Sequence, residues 1–237
     1  MVPTDPLSQM WNDPQYVTRY NNIYTTANDQ FALYTQMLAL DANDDFLDLG
    51  CGCGDFIHYI CNNLSPNARP RTITAVDQSK EQLQLLRQKS GGESDLYIVE
   101  KPFLELFPAH PHRFNKIFAR ASLHHLNFED KKIFFRMLKP HLTPSTLFLL
   151  YDMVFEFPLS HLDQQLSQLQ QEASIYYGES WEIKKSDIVH TWFQEYPEDL
   201  SDWQEVFAEA GLQLKQRVRI TSFLSKLLWS NEVGCGR

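Results

Sequence analysis

Basic residues are in short supply, with 21 Lys and Arg against 30 Asp and Glu and a net charge of −9. The longest basic runs are the pairs Lys131-Lys132 and Lys184-Lys185. A field of that sign opposes the approach of a polyphosphate, so a nucleic acid is not an expected partner. The chain also lacks an apolar stretch of ~18 residues, and its start lacks the charged, apolar and small regions of a secretory signal. No membrane span is expected, and the cytoplasm is the expected location. Cysteine is scarce too: Cys51, Cys53, Cys61 and Cys235 are too few for a disulfide framework in 237 residues and are expected to be reduced. The spacing Cys51-x-Cys53-x4-His58-x2-Cys61 offers thiolate and imidazole ligands. The first two cysteines alternate with glycines in a turn whose backbone should itself be occupied, so no metal is expected there. Finally, no Pro/Gly/Ser-rich linker or shift in composition divides the chain. One domain with an embedded elaboration is expected.

Against these absences, hydrophobic residues make up 43% and charged residues 22%, enough for a core in a soluble globular protein. The most informative stretch is Phe46-Leu-Asp-Leu-Gly-Cys-Gly-Cys-Gly54, an apolar run with one acid that ends in three alternate glycines before helix-compatible residues from Asp55. Glycines there let the backbone take positive φ or approach a ligand closely, and a helix N-terminus presents free amides. The dinucleotide pattern Gly-x-Gly-x-x-Gly places its third glycine where this chain has Asp55. A carboxylate at that position repels phosphates, so a cationic ligand is expected and a nicotinamide-dependent oxidoreductase is disfavoured.

Leu47 to Gly54 resembles motif I of the class I S-adenosylmethionine-dependent methyltransferases. Thr72-Ile-Thr-Ala-Val-Asp77 is a second β-branched run ending in an acid 23 residues past Gly54, where a ribose-binding carboxylate is expected. Phe114 to Leu126, which includes Leu123-His124-His125-Leu126, is similar to the family's fourth strand and its continuation. Leu138-Lys139-Pro140 is similar to the turn before its fifth strand, and Phe207 to Leu212 to its last helix. The match runs over roughly residues 46 to 220. Two positions depart from the pattern. Val99 to Phe103 carries no clean equivalent of the acid after the third strand, and Asn115 stands where the fourth strand commonly has Asp.

Hydrophobic periodicity organises the chain accordingly. Residues 1 to 12 show few regular signals and are expected to be mobile or draped on the surface. Two helices are expected between Pro14 and Leu40, interrupted at Thr25 to Asp29, with Asp29 as the second N-cap. Strands at 46 to 49, 72 to 76, 96 to 99, 115 to 120 and 146 to 151 alternate with helices at 55 to 64, 79 to 89 (stopped by Gly91-Gly92) and 128 to 138. That alternation predicts an α/β fold, a Rossmann-like, doubly wound, mostly parallel sheet with its ligand at the carboxyl ends of the strands. The family implies seven strands. Residues 153 to 197 break the rhythm: Leu159, Leu162, Leu166 and Leu169 share a helix face beginning near Pro158, followed by a less regular stretch holding Trp181, His190, Trp192, Phe193 and Tyr196. A helix from Asp199 to Ala210, ended by Gly211, precedes a closing hairpin of Val218 to Ile220 and Phe223 to Trp229. The expected organisation is a helical cap over 1–45 and a methyltransferase domain over 46–237, with 153–197 as a lid-like insertion. The insertion's aromatics either line a pocket or merely pack it onto the sheet.

The resemblance implies S-adenosylmethionine as cofactor and S-adenosylhomocysteine as product. It places Asp48, Gly50, Gly52 and Gly54 around the methionine portion, Asp77 on the ribose and Gln78 beside the adenine. Glu100 or the Lys101 backbone is the candidate for the adenine edge, with Ala119 and Arg120 at the end of the fourth strand and Tyr16 and Tyr20 reaching in from the N-terminal helix. Arg120 is suited to the methionine carboxylate or to a substrate anion. Methyl transfer from a sulfonium needs mainly alignment and exclusion of water, so no catalytic motif is expected. His124 and His125 are the candidate proton acceptors, with a purely structural role as the alternative. The implied function is methylation of a small molecule; the alternative is a regulatory or partner subunit that keeps the cofactor fold without turnover.

Overall fold

The computed structural model describes residues 10–90, 95–107 and 112–231. Gly91-Gly92 and Cys235 lie outside the described residues. The parallel sheet takes β1 (Asp45–Leu49), β2 (Thr72–Asp77), β3 (Leu96–Glu100), β4 (Phe114–Arg120) and β5 (Leu142–Phe155). It is completed by a two-residue β6 (Glu198–Asp199) and an antiparallel pair, β7 (Gln213–Arg219) and β8 (Leu224–Ser230). The order is β3-β2-β1-β4-β5-β8-β7, the seven strands expected, with the short β6 as an eighth parallel to the end of β5. The order reverses between β1 and β4, and both strands deliver their carboxyl ends to that switch point.

Local chemistry starts the helices. Asp13 Oδ1 accepts from the Gln15 amide at 2.8 Å, and Pro14 opens α1 (Pro14–Ile23). In α2 (Asn28–Leu38) the cap is Ala27, and Asp29 lies in the first turn, where its carboxylate accepts from the Gln30 amide. The expected N-cap role of Asp29 is thus corrected by two positions, while an acid there still favours the helix dipole. Gly54 precedes α3 (Asp55–Asn63), and α4 (Lys80–Ser90) follows β2. Asn127 caps α5 (Phe128–Leu138), and Asp199 caps α8 (Leu200–Glu209) through the amides of Ser201 and Asp202.

The two sheet faces bury separate cores. Leu47, Leu49, Ile117, Phe134, Phe135, Trp203, Phe207 and Trp229 fill the side covered by α5 and α8. Phe46, Phe56, Ile57, Ile60, Leu83, Phe118 and Tyr34 fill the side covered by α2, α3 and α4. A third cluster joins the end of β5 to the segment after it, where α6 (Leu162–Tyr177) and α7 (Trp181–Gln194) bring Leu169, Trp181, Ile188 and Trp192 against Phe155 and Phe223. Two expectations give way here. Residues 181 to 194 are a regular helix rather than a less regular stretch, because Trp181, Ile188 and Trp192 fall on one buried face despite a weakly amphipathic sequence. β5 runs to Phe155 rather than ending at Tyr151, because its last residues pair with β6 and pack into this third core. β7 also begins earlier than expected, at Gln213; it is an edge strand carrying Lys215, Arg217 and Arg219.

Candidate active site

The glycine turn joins β1 to α3, with the Gly50 and Cys51 amides donating to the Val76 carbonyl of β2 at 2.8 and 3.0 Å. Gly50, Gly52 and Gly54 have φ of 70°, 54° and 76°. A Cβ on Gly50 would strike the Ser122 side chain, and one on Gly54 the Leu86 side chain. A Cβ on Gly52 would meet nothing closer than Gln82 at 3.9 Å. Two of the glycines are therefore required by the protein's own packing, whereas Gly52 leaves open space above a backbone in the left-handed region.

Two acids flank the turn. Asp77, at the end of β2, accepts from the Gly52 amide through Oδ2 (2.9 Å) and from the Ser79 amide through Oδ1 (2.8 Å). Burial raises its pKa while the amides of Ser79, Gly52 and Gln78 pull it back. Asp48 is buried in β1; burial, then the neighbouring Asp77 charge, push its carboxyl up to about 8 against the opposing Arg120. Gln78 follows Asp77, Glu100 pairs with Asp77 across β2 and β3, and the Lys101 amide donates to the Asp77 carbonyl at 3.1 Å. Asp55, read as repelling phosphates, is ion-paired to Lys89 at 2.6 Å.

A cavity of about 670 Å³ opens beyond the ends of β4 and β5. Tyr16 and Tyr20 of α1, Tyr24 just past its end, Tyr34 of α2, Tyr151 of β5, and Tyr176 and Tyr177 of α6 supply its aromatic walls. Burial raises the Tyr16 and Tyr24 phenols strongly and pushes Tyr20 up to about 12, so all three stay neutral. Trp11 packs edge-on against Tyr16, Tyr20 and His125, with centroids 5.2, 4.8 and 5.9 Å away, and its carbonyl accepts from Ser79 Oγ. This part of the N-terminal segment, expected to be mobile or draped, is docked on the site. Arg120 reaches the cavity with its guanidinium 5.7 Å from the Tyr151 ring and its buried Nε without a hydrogen-bond partner. Ala119 is fully buried in the sheet core and does not line the cavity.

His124 and His125 occupy a short 3-10 turn after β4, entered through Ala121 with a positive φ of 45°. His124 Nδ1 lies 2.5 Å from Asp152 Oδ1, and Asp152 Oδ2 accepts from the Ser122 and Leu123 amides. On its other side, Nε2 lies 3.1 Å from Glu195 Oε2, an ion-pair contact outside hydrogen-bond geometry. Burial lowers the His124 pKa, but Asp152 and then Glu195 outweigh it and push it up to about 10. Burial, then the His124 charge, bring His125 down to about 4. Burial raises the Glu195 carboxyl, yet contact with His124 brings it down to about 2.

Only part of the expected set lines this cavity. The glycine turn and Asp77 lie outside the cavity lining, whereas Tyr16, Tyr20, Arg120, His124 and His125 line it. Sequence reasoning missed Asp152 and Glu195. Asp152 had a signal, an acid just past the expected end of the fifth strand, as Asp77 is for the second. Glu195 had none, because it reaches His124 only through the path of α7. Among the described residues, the group arranged to hold a metal ion is His124, His125 and Glu195 rather than the cysteine spacing. Cys53 instead lies 3.0 Å from Lys89 Nζ, and His58 contacts Asn62.

Comparison with solved structures places the fold among methyltransferases. Magnesium protoporphyrin IX methyltransferase from Synechocystis PCC 6803 with bound S-adenosylhomocysteine is similar with a TM-score of 0.64 and 11% identity, over 94% of this chain and 97% of that one. Phosphoethanolamine N-methyltransferase 2 of Haemonchus contortus in complex with S-adenosylmethionine gives 0.65 at 16% identity, over 91% of this chain and 45% of that one. A cyclopropane synthase from Mycobacterium tuberculosis gives 0.60 at 14% identity, over 91% and 73%. No curated protein sequence matches the chain. A family model described as a methyltransferase domain matches residues 40–211, which span the glycine turn, both histidines and the helices after β5. With most of its length inside that match, the chain belongs to the methyltransferase domain family.

Proposed function

We propose that this protein uses S-adenosylmethionine to methylate a small-molecule acceptor held in the cavity between α1, β5 and the α6–α7 insertion. The observation that carries the reading is Gly52: a positive-φ residue with open space above it, its amide tied to a strand-end carboxylate. The residues fit an adenosyl sulfonium. Asp77 is suited to the ribose hydroxyls, with Gln78, Glu100 and Lys101 beside the adenine. Asp48 is suited to a cationic group, and the unpartnered Arg120 Nε to a carboxylate. The bound ligands of the Synechocystis and Haemonchus proteins support the same cofactor.

When bound, the sulfonium supplies a methyl group already activated for in-line displacement, so this chain's residues have to position the acceptor and exclude water. A cavity of about 670 Å³ suits a ligand of small-molecule size. The N-terminal cap, in its described residues 10–45, and the insertion 153–197 serve as a two-part lid. α1 spans the opening, tied to α4 by the Asn21–Gln82 amide pair (3.0 and 3.3 Å) and to α7 by Arg19–Asp187 (3.1 Å). Tyr16 and Tyr20 lie at the junction of cofactor and acceptor. His124, held on both sides by carboxylates, is a positioning residue; His125 lines the cavity beside it, its buried Nδ1 without a hydrogen-bond partner. The same reading places the enzyme in the cytoplasm with Cys51, Cys53 and Cys61 outside any disulfide and with no nucleic-acid partner.

Calorimetry tests the cofactor assignment. S-adenosylhomocysteine should bind the wild-type protein, and Asp77→Ala should abolish the heat while leaving the far-ultraviolet spectrum unchanged. A folded wild-type protein that binds neither S-adenosylmethionine nor S-adenosylhomocysteine would overturn it. Transfer of a labelled methyl group to a member of a metabolite panel would eliminate the reading of a subunit without turnover.

A further inference from the structure

We propose that His124 Nε2, His125 Nδ1 and Glu195 Oε2 form a binding site for a divalent transition-metal ion on the acceptor side of the cavity. The three atoms lie within 4.8 Å of one another, with His124 Nε2 at 3.1 Å and His125 Nδ1 at 3.8 Å from Glu195 Oε2. Nitrogen and oxygen ligands of one ion, bound at ~2.0–2.2 Å, stand ~3–4 Å apart, so only a small contraction is needed.

A second, independent observation points the same way. His125 Nδ1 is buried with no hydrogen-bond partner, and Glu195 Oε2 has only its ion-pair contacts with the two histidines, although buried polar atoms in folded proteins are nearly always hydrogen-bonded. The supporting residues hold the donors still. Asp152 Oδ1 grips His124 Nδ1 at 2.5 Å, which leaves Nε2 as the coordinating nitrogen of a carboxylate–histidine–metal arrangement. The Tyr196 amide donates to the His124 carbonyl at 2.9 Å and Lys131 Nζ donates to the Tyr196 carbonyl, which fixes the backbone beside Glu195. Asp152 and Glu195 together balance a charge of 2+.

Two imidazoles and one carboxylate suit zinc, iron(II), cobalt(II) or manganese(II) better than magnesium or calcium, which favour oxygen-only sets. All three ligands line the cavity, so the remaining coordination positions face it and take an oxygen or nitrogen of the acceptor. There the ion orients that atom and makes it more acidic. The metal site stands on the cluster alone; its use on an acceptor rests on the methyltransferase reading.

Metal-stripped protein titrated with cobalt(II) tests the proposal, read by visible absorption and by unfolding temperature. The expected result is a saturable band at a single equivalent, accompanied by a rise in unfolding temperature. Glu195→Gln and His125→Gln should each weaken cobalt binding by at least ~10-fold, the scale set by changes at the outer shell of known sites. The His125 Nδ1 has no hydrogen-bond partner to lose, so His125→Gln should keep the fold even if Glu195→Gln does not. Asp77→Ala should retain the band while losing S-adenosylhomocysteine binding, which separates failure of the metal site from failure of the cofactor site. A folded wild-type protein without a cobalt band at millimolar cobalt, or a band of unchanged affinity in His125→Gln, overturns the proposal.

Discussion

Asp48 shows how one buried residue links ligand to proton. Its carboxyl, held up at about 8 by burial and the nearby Asp77, is protonated in the free protein at pH 7. A group whose folded pKa lies above its unfolded value stabilises the fold fully at low pH. Its contribution is lost as the pH rises from the unfolded value through the folded one, here from about 4 to about 8. A cation bound beside it favours the ionised form. S-adenosylhomocysteine, through its ammonium, should therefore bind more tightly as pH rises from 6 to 8, with uptake of the released proton visible when calorimetry is repeated in buffers of different ionisation enthalpy. Asp48→Asn should remove both the slope and the proton release. The glycines divide in a similarly testable way. Gly52→Ala meets no neighbour and should lose only the ~1–2 kcal/mol of a left-handed non-glycine residue while ligand binding fails. Gly54→Ala adds a collision with Leu86 and should cost a further ~1–3 kcal/mol in chemical denaturation. Asn115 explains its departure from the family's Asp: its Oδ1 accepts from the Asp45 amide at 2.8 Å while its Nδ2 donates to Asp44 at 2.7 Å. A carboxylate could not make the second bond.

At the scale of elements, α5 and β6 are joined by a buried ion pair. Lys131 Nζ donates to Glu198 Oε1 at 2.7 Å and to the Tyr196 carbonyl, and lies 5.1 Å from the Trp203 ring. Burial lowers the Lys131 pKa and raises that of Glu198. Desolvation costs of this kind make an intact pair nearly neutral and a broken one expensive. Lys131→Met should destabilise the fold by ~3–5 kcal/mol in urea, because Glu198 is left buried without its cation. The double variant Lys131→Met with Glu198→Leu should recover most of that loss. Strand and helix order was readable because the hydrophobic period changes from two to about 3.6 at each boundary. The ends were not: β5 and α7 run past or through their sequence signals because Met153, Phe155, Trp181, Ile188 and Trp192 gain a third core that exists only once the chain has folded.

On the scale of the whole molecule, α1 clamps one side of the site to the other, reaching α4 through Asn21 and α7 through Arg19. Those partners lie 61 and 168 residues away along the chain, so no local signal announces them. The sequence by itself determined the alternation of strands and helices, the glycine turn and the acids at 48 and 77, since each depends on a period, a backbone conformation or a strand end that neighbouring residues impose. Only the tertiary structure decided that His124 stands between Asp152 and Glu195, that Trp11 lies against His125, and that the tyrosines of four separate elements face one cavity. The physical reason is that charge pairing, desolvation and cavity walls are properties of surfaces brought together from distant parts of the chain, and a linear pattern carries no record of which surfaces meet.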